Sequence, residues 1–400
     1  MEVKKLKECC TIIAGQSPES KYYNSNGDGL PFFQGKADFG ELYPSIRVYC
    51  SQPTKIAEKD DILLSVRAPV GPTNLAPCKV CIGRGLTAIR PSEVLLTRYV
   101  LLFFRYFEAQ LASKGTGTTF KAITQDVVKN LEIPIPPLPE QERIVARIEE
   151  LFSQLDAGVE TLKKTKAQLA VYRQAVLKEA FEGRLTQAFR EENGLPDWKT
   201  ISITQAIVQR KNSLKAGPFG SALKKECYVP SGYKVYGQEQ VIANNENIGN
   251  YYIDEEKYQE LISCAIAPHD ILISLVGTVG KVLVLSDNCL PGIINPRLIK
   301  VTLDEKIMMP YFFKYYFESA YLKSLYKKKA HGATMDVLNM GMIKELPFPL
   351  CDIQEQGQVI KEIESRLSVC DSIEHTVGLA LQQAEAMRQS ILKDAFEGKL

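Results

Sequence analysis

No apolar run in this chain reaches the roughly 18 residues that a membrane-spanning helix needs. The segment Met1–Cys10 carries Lys4, Lys5 and Lys7 with two glutamates, and no apolar stretch of signal-peptide type follows it. A cytoplasmic protein with no membrane partner is therefore expected. Histidine is scarce: His269, His331 and His375 stand far apart. Only Cys78 and Cys81 form a CxxC pair, so the second pair or spaced histidines of a zinc site are missing. The ten cysteines are expected as reduced thiols rather than disulfides, and no metal is expected.

Catalytic motifs are also missing. Gly277-Thr278-Val279-Gly280-Lys281 resembles a phosphate loop, but Leu275 stands where the motif needs glycine and Val282 where it needs Ser or Thr. Gly115-Thr116-Gly117 does not complete a dinucleotide fingerprint. No Asn-Pro-Pro-Tyr type motif for methyl transfer to adenine occurs, and no Ser/His/Asp or Cys/His arrangement is marked by context. Glu255-Glu256-Lys257 has the ExK spacing of many nucleases, a spacing that ordinary charged loops share. These absences favour a binding protein over an enzyme, with no cofactor.

Net charge is small as well, +2 over 400 residues. Its distribution is more telling. Residues 1–135 hold 17 Lys/Arg against 13 Asp/Glu, and residues 200–346 hold 17 against 14. The stretches 136–199 and 347–400 together hold 15 against 20. Mildly basic regions alternate with acidic ones, which points at the basic regions as polyanion-facing surfaces.

What the chain does contain is a tandem repeat. Residues 172–185 read YRQAVLKEAFEGRL and residues 387–400 read MRQSILKDAFEGKL, an offset of 215. At that offset Glu140-Gln141 falls on Glu355-Gln356, Ile148-Glu149 on Ile363-Glu364, and Asp156 on Asp371. Gly117-Thr118-Thr119 lies opposite Gly332-Ala333-Thr334. Elsewhere the echo is looser: Asp61-Ile62-Leu63-Leu64-Ser65 resembles Asp270-Ile271-Leu272-Ile273-Ser274. The order is globule, helix, globule, helix.

Ile133–Pro139 reads IPIPPLP and is expected as an extended lead-in. From Glu140 apolar residues recur three or four apart (Ile144, Ile148, Leu151, Leu155, Val159, Leu162, Leu169, Val176, Ala180), a coiled-coil-like seam interrupted by Lys166 and Arg173. Gly183 closes it. The second copy repeats the seam from Val359 to Ala395, with Gly398 after it. Such a seam is expected to bury itself against its copy. A helix over Glu140–Phe181 is about 63 Å long. The linker Thr186–Lys199 reaches at most about 50 Å and contains a turn at Gly194-Leu195-Pro196-Asp197. The two helices are therefore expected to run antiparallel.

The globules read as mixed α/β. Strands are expected at Ile62–Val66, Lys79–Ile82, Asp270–Val276, Lys281–Leu285 and Leu298–Val301. Amphipathic helices are expected at Thr97–Ser113 and Met309–Lys328, their aromatics (Phe103, Phe104, Phe107, Phe312, Phe313, Tyr316) forming core.

Taken together the chain resembles the DNA-specificity subunit of type I restriction–modification systems. The residues that carry the resemblance are Pro136-Pro137-Leu138-Pro139-Glu140-Gln141-Glu142-Arg143-Ile144, Leu177–Leu185 and Ile391–Leu400. Leu64-Ser65-Val66-Arg67-Ala68-Pro69-Val70-Gly71 and Gly217-Pro218-Phe219-Gly220-Ser221-Ala222-Leu223 look equally family-like. One departure is Cys351-Asp352-Ile353-Gln354, which replaces the proline-rich lead-in and is expected to loosen that helix start. The resemblance implies an α+β fold: two mixed α/β target-recognition domains (1–136 and, with the linker, 186–349) separated by two long antiparallel coiled-coil helices (137–185 and 350–400), with pseudo-two-fold symmetry. It implies a non-catalytic subunit that binds double-stranded DNA at a split target. Two DNA adenine methyltransferase subunits and restriction/translocase subunits would be its partners. The rival reading is a coiled-coil scaffold without sequence-specific DNA binding.

Candidate DNA contacts are Lys36, Arg67, Arg84, Lys114 and Lys121 in the first globule. In the second they are Lys215, Lys224, Lys225, Gln238, Gln240, Lys281, Arg297, Lys327, Lys328 and Lys329. Basic side chains hold phosphates, and amides pair with base edges.

Overall fold

Long runs with helical periodicity and short runs of β-branched residues alternate along the chain, and both form what their pattern dictates. A computed structural model describes residues 2–115, 122–219, 222–329 and 338–400, without the side chains of 327–329. The fold is α+β. Four helices organise it: α1 (Thr97–Ser113), α2 (Leu138–Phe181), α3 (Pro310–Phe317) and α4 (Ile353–Phe396). Two compact units result, one of Met1–Lys164 with Val377–Leu400, the other of Thr165–Thr376. Among the described residues no helix is long and apolar enough to cross a membrane.

In the first unit a four-stranded antiparallel sheet has the order Cys10–Ala14, Leu86–Pro91, Ile62–Ser65, Thr73–Leu75. Alternate side chains of a strand point to opposite faces. Ile62, Leu64 and Ile89 therefore meet Val100, Phe103 and Phe104 of α1, with Ile144 and Ile148 of α2 and Leu392 of α4. Leu63, Leu86 and Ala88 meet Phe33, Val80 and Ile82 of a second sheet. With both faces covered, Ile62–Ser65 is buried at every position. The second sheet has five short strands, of which Leu30–Phe33 and Val80–Ile82 are parallel. Glu2–Lys5 and Glu132–Ile135 pair antiparallel and join the two ends of this globule.

The second unit repeats the four-stranded frame in the same order: Leu214–Ala216, Leu298–Val301, Ile271–Ser274, Val282–Val284. Leu86 pairs with Ser65 as Leu298 pairs with Ser274. Gly83 N–H donates to Phe33 O at 2.8 Å, and Asn295 N–H donates to Tyr236 O at 2.9 Å. The parallel pair is also kept, as Tyr233–Tyr236 beside Gly292–Ile294. The flanking pairings are kept as well, though shorter: Val229 bridges Tyr252 and Ala265 bridges Ile293 in antiparallel fashion, where Tyr23–Asn24 and Ile56–Ala57 form two-residue strands in the other unit.

The long helices, 44 residues each, contribute to both units. In the first unit Asp156 of α2 pairs with Arg388 of α4, whose guanidinium lies 4.6 Å from the Phe152 ring centroid. In the second unit Arg173 of α2 pairs with Asp371 and, at 3.1 Å, with Glu374 of α4. Early α2 meets late α4 in one unit and late α2 meets early α4 in the other, so the pairing is antiparallel, as the linker length requires. Asp156 and Asp371, like Arg173 and Arg388, stand 215 positions apart, so one ion pair is made twice. Arg173, which breaks the apolar seam in sequence, is thus part of the helix pairing. The seam is fully buried near the globules (Ile144, Ile148, Val176, Ala180, Val359, Ile363) and half-buried at Leu151, Leu155, Val159 and Leu162.

Three expectations need correction, and the linker adds an element that no spacing marked. Helix α2 starts at Leu138 and takes Pro139 into its first turn, where no intrahelical N–H is required. Met309–Lys328 is not one helix but α3 followed by Ala320–Lys329. The break falls at Glu318-Ser319, where the Glu318 carboxylate accepts from Val282 N–H at 3.0 Å and Ser319 Oγ accepts from Leu322 N–H at 3.3 Å. The linker contains a short helix, Gln187–Glu192. Its Arg190 bonds the fully buried Glu355, which also accepts from Thr186 Oγ1 at 2.7 Å. Finally, the Cys351-Asp352 departure does not loosen α4, because Asp352 Oδ1 accepts from Gln354 N–H at 2.8 Å and caps the helix. The expected strands form, some shortened by one to three residues, and Thr97–Ser113 is helical as expected. Phe103, Phe104, Phe312, Phe313 and Tyr316 are core, with Phe107 packed against it half-buried.

Candidate nucleic-acid interface

In the second unit the parallel strands Tyr233–Tyr236 and Gly292–Ile294 end side by side, and both chains turn there. A short helix, Gln238–Ala243, leaves from Gly237. Asn295-Pro296-Arg297 leads back into the frame, with Leu298 N–H donating to Asn295 O at 3.2 Å. Gly217 passes so close that a Cβ there would lie 1.8 Å from Asn295 O, which explains the glycine of the Gly217-Pro218-Phe219 segment. Gly220 and Ser221 of that segment lie outside the described residues. Phe219 is 90% exposed at this edge.

These turns enclose a groove of about 780 Å³. Three of the sequence-derived candidates, Lys225, Gln238 and Arg297, line it together. The cations of Lys225 and Arg297 are exposed. Gln238 Nε2 donates to Ser274 Oγ at 2.9 Å and to Val276 O, which fixes the amide on the frame. Lys224 is exposed beside Lys225, whereas Lys215 and Lys281 are half-buried and do not line the groove.

Gln240 is a correction. It is fully buried. Its Oε1 accepts from Gly237 N–H at 2.8 Å and its Nε2 donates to Ile248 O at 2.9 Å. It holds the 237–249 loop and reaches no base. Residues that sequence reasoning missed include Tyr228 and Tyr251, whose ring centroids lie 5.0 Å apart, together with Asn295 and Glu239. Only the Asn-Pro dipeptide signals itself locally, as a turn. Burial pushes the Tyr228 hydroxyl above its ordinary pKa, so it stays a neutral donor at pH 7.

The first unit builds the same edge from different residues. A Cβ on Gly15 would lie 2.2 Å from Gly83 O, matching the Gly217–Asn295 approach. Lys36 stands in the short helix after Leu30–Phe33, and Arg84 in the turn after Val80–Ile82, its N–H donating to Ser17 Oγ at 3.2 Å. Arg67 follows Val66, whose N–H donates to Gly85 O at 2.9 Å. Lys36, Arg67 and Arg84 are exposed, and the backbone beside them meets at the end of the parallel pair. Lys114 ends α1 with its ammonium 5.4 Å over the Phe107 ring. Lys121 lies outside the described residues, as do the side chains of Lys327, Lys328 and Lys329, whose backbone closes the helix Ala320–Lys329.

The remaining motifs resolve locally. Gly277–Lys281 is the turn of a hairpin, with Ser274 N–H donating to Lys281 O at 3.0 Å, not a strand-to-helix phosphate loop. Glu255 accepts from Tyr233 Oη and from Gln259 Nε2 at 2.7 Å, and Lys257 pairs with Glu260 at 2.7 Å. The ExK triplet therefore stabilises its own helix. Among the described residues no group of three or more His, Cys, Asp or Glu is disposed to hold a metal ion.

Two globules on one repeated frame, each with exposed cations at the same edge, match a known family across most of the chain. The type I restriction modification DNA specificity domain model fits residues 1–170 and 219–382. The chain belongs to that family. It is 26% identical over 337 residues to the StySPI specificity subunit of Salmonella potsdam, covering 81% of this chain and 70% of that one. It is 39% identical over 175 residues to the putative MjaX specificity subunit of Methanocaldococcus jannaschii, spanning 44% of this chain and only 40% of that relative. A solved structure concerned with complex assembly and conformational transition of the type I R-M system shares the fold, with a TM-score of 0.75 at 17% identity over 100% of this chain and 98% of that one. The family's role is sequence-specific DNA recognition in a type I system. Its relatives here are specificity subunits, which are non-catalytic.

Proposed function

We propose that this chain reads a two-part DNA target, one half with residues 1–136 and the other with the globule inside 186–349. What chiefly supports this is the uneven divergence of the copies. The helices stay alike over 172–185 and 387–400, while the globules keep only a loose echo in sequence, as Asp61–Ser65 against Asp270–Ser274. Shared helices suit shared partners, and different loops suit different half-sites. The exposed set Lys36, Arg67, Arg84, Lys224, Lys225 and Arg297 suits phosphate contacts, whose strength falls steeply with salt. Loops at that edge enter the major groove, where each base pair shows a distinct pattern.

The helices at 137–185 and 350–400 act as the ruler for the unread spacer. They are the docking surface for two DNA adenine methyltransferase subunits, and restriction/translocase subunits join that complex. Methyl transfer and cleavage belong to those partners, and a chromosomal substrate places the assembly in the cytoplasm. Inserting residues within Leu162–Tyr172 tests the ruler. Each added residue shifts a helix by about 1.5 Å against about 3.4 Å per base pair. The preferred spacer changes while the half-site sequences stay. Altered half-sites with an unchanged spacer would overturn the ruler.

A further inference from the structure

The groove of the second unit contains one residue with the wrong charge for a phosphate-facing surface. Glu239 is the single carboxylate among its lining residues, which include Lys225 and Arg297; it is exposed, with its Oε1 beside Gly249. Among the described residues it forms no ion pair. Its one recorded bond is a long one, from Gln240 Nε2 to Oε1 at 3.4 Å. The backbone under it is firm: the Gln240 amide bonds Gly237 N–H and Ile248 O, on either side of it.

A carboxylate within a Debye length of phosphates, about 8 Å at physiological salt, is repelled by them. It is tolerated in such a groove where it faces base edges that offer amino protons. In the major groove only cytosine N4 and adenine N6 do so. Beside adenine N6 lies the N7 lone pair, which opposes the second carboxylate oxygen. Beside cytosine N4 lies only the C5–H. A carboxylate, which has no donor of its own to offer N7, therefore favours cytosine. The corresponding short helix of the first unit begins with Lys36, a donor, which suits the O6 and N7 acceptors of guanine.

We infer that Glu239 reads the N4 amino group of a cytosine in the half-site bound by the second unit. The inference rests on the proposed DNA-reading role of this edge and adds the residue and the base. A mismatched base pair in a specific site typically costs roughly 5- to 150-fold in affinity.

The test uses the full chain in complex with its methyltransferase subunits and selects bound duplexes from a random-sequence library. The wild type is expected to require C·G at one position of one half-site. E239A and E239Q are expected to lose that preference roughly 5- to 150-fold, keeping every other position and the whole other half-site. E239Q is further expected to gain adenine at that position, because its amide pairs with N6 and N7. Unchanged selection by both variants overturns the inference. So does a uniform rise in affinity for all sequences, which would place Glu239 against phosphates. A wild type that selects no sequence overturns the two-part reading itself.

Discussion

Gln141 and Gln356, 215 positions apart, make the same three hydrogen bonds, each within its own unit. Gln141 Oε1 accepts from Leu96 N–H at 2.9 Å, and its Nε2 donates to Val94 O at 2.8 Å and Pro136 O at 2.8 Å. Gln356 Oε1 accepts from Met309 N–H at 2.9 Å, and its Nε2 donates to Ile307 O at 2.8 Å and Cys351 O at 3.0 Å. Leu96 and Met309 immediately precede α1 and α3. In each unit one buried amide thus ties the first turn of a long helix to the entry of the aromatic helix that packs on the frame. Replacing either glutamine by alanine leaves one buried carbonyl and two partly buried backbone groups without their partner. Q141A and Q356A are expected to lower unfolding free energy by about 1–3 kcal/mol in denaturant titrations, the cost of an orphaned buried group. A loss below about 0.5 kcal/mol, the range of ordinary surface changes, would contradict the clamp.

The clasp between the linker and α4 is a second stability prediction. Glu355 is fully buried and Arg190 is 16% exposed, so the pair is screened little by water. Removing one partner of a buried pair leaves an uncompensated charge, at about 3–5 kcal/mol. E355A should show that loss by calorimetry or denaturation. E140A, at the equivalent position where the carboxylate is solvated and pairs only with Arg143, should cost far less. Equal effects of the two changes would refute the asymmetry.

The repeated ion pair between the long helices carries less energy. Arg173 is 25% exposed and Asp371 69% exposed. A double-mutant cycle on R173A and D371A is expected to return about 0.2–1 kcal/mol, shrinking with salt. A coupling above about 2 kcal/mol would mean that the pair is far better shielded than its exposure allows.

His269 supplies a pH signature. Its Nδ1 lies 2.6 Å from Glu305 Oε1 and its Nε2 2.9 Å from Asp287 Oδ1. The bond to Glu305, chiefly, raises its pKa above the ordinary 6.5. The charged form is therefore favoured in the folded state. The resulting stability is fully present below about pH 6.5 and fades as pH rises through the raised folded value. NMR titration should find His269 above 6.5, and E305Q should bring it down. An unshifted value in the wild type would show that the bond does not persist in solution.

How much of this was readable beforehand depends on how local each signal is. The repeat, the long helices and the span of α1 follow from spacing within a single segment, and Thr97–Ser113 forms as read. The second sheets do not, because their strands are two to four residues long and pair across the chain, as Phe33 does with Ile82. The same limit applies at the groove. Lys225 and Arg297 announce themselves by charge. Gln240 resembles a base reader in sequence, yet tertiary packing buries it. Tyr228, Glu239 and Tyr251 come together only through the fold, so no spacing marks them.

Lys225 and Arg297 also give a direct binding prediction. K225A and R297A are expected to weaken DNA binding across all sequences and to reduce the salt-dependence slope by about one each if they hold phosphates. A sequence-selective loss would reassign that residue to base readout.

The central claim is that one chain reads two half-sites for a methylating complex. Mapping methylated adenines across the genome with and without the gene tests it most directly. The account predicts a two-part motif with a fixed unread spacer that disappears with the gene. A methylation pattern unchanged by the deletion, or a lost motif that is continuous, would contradict it.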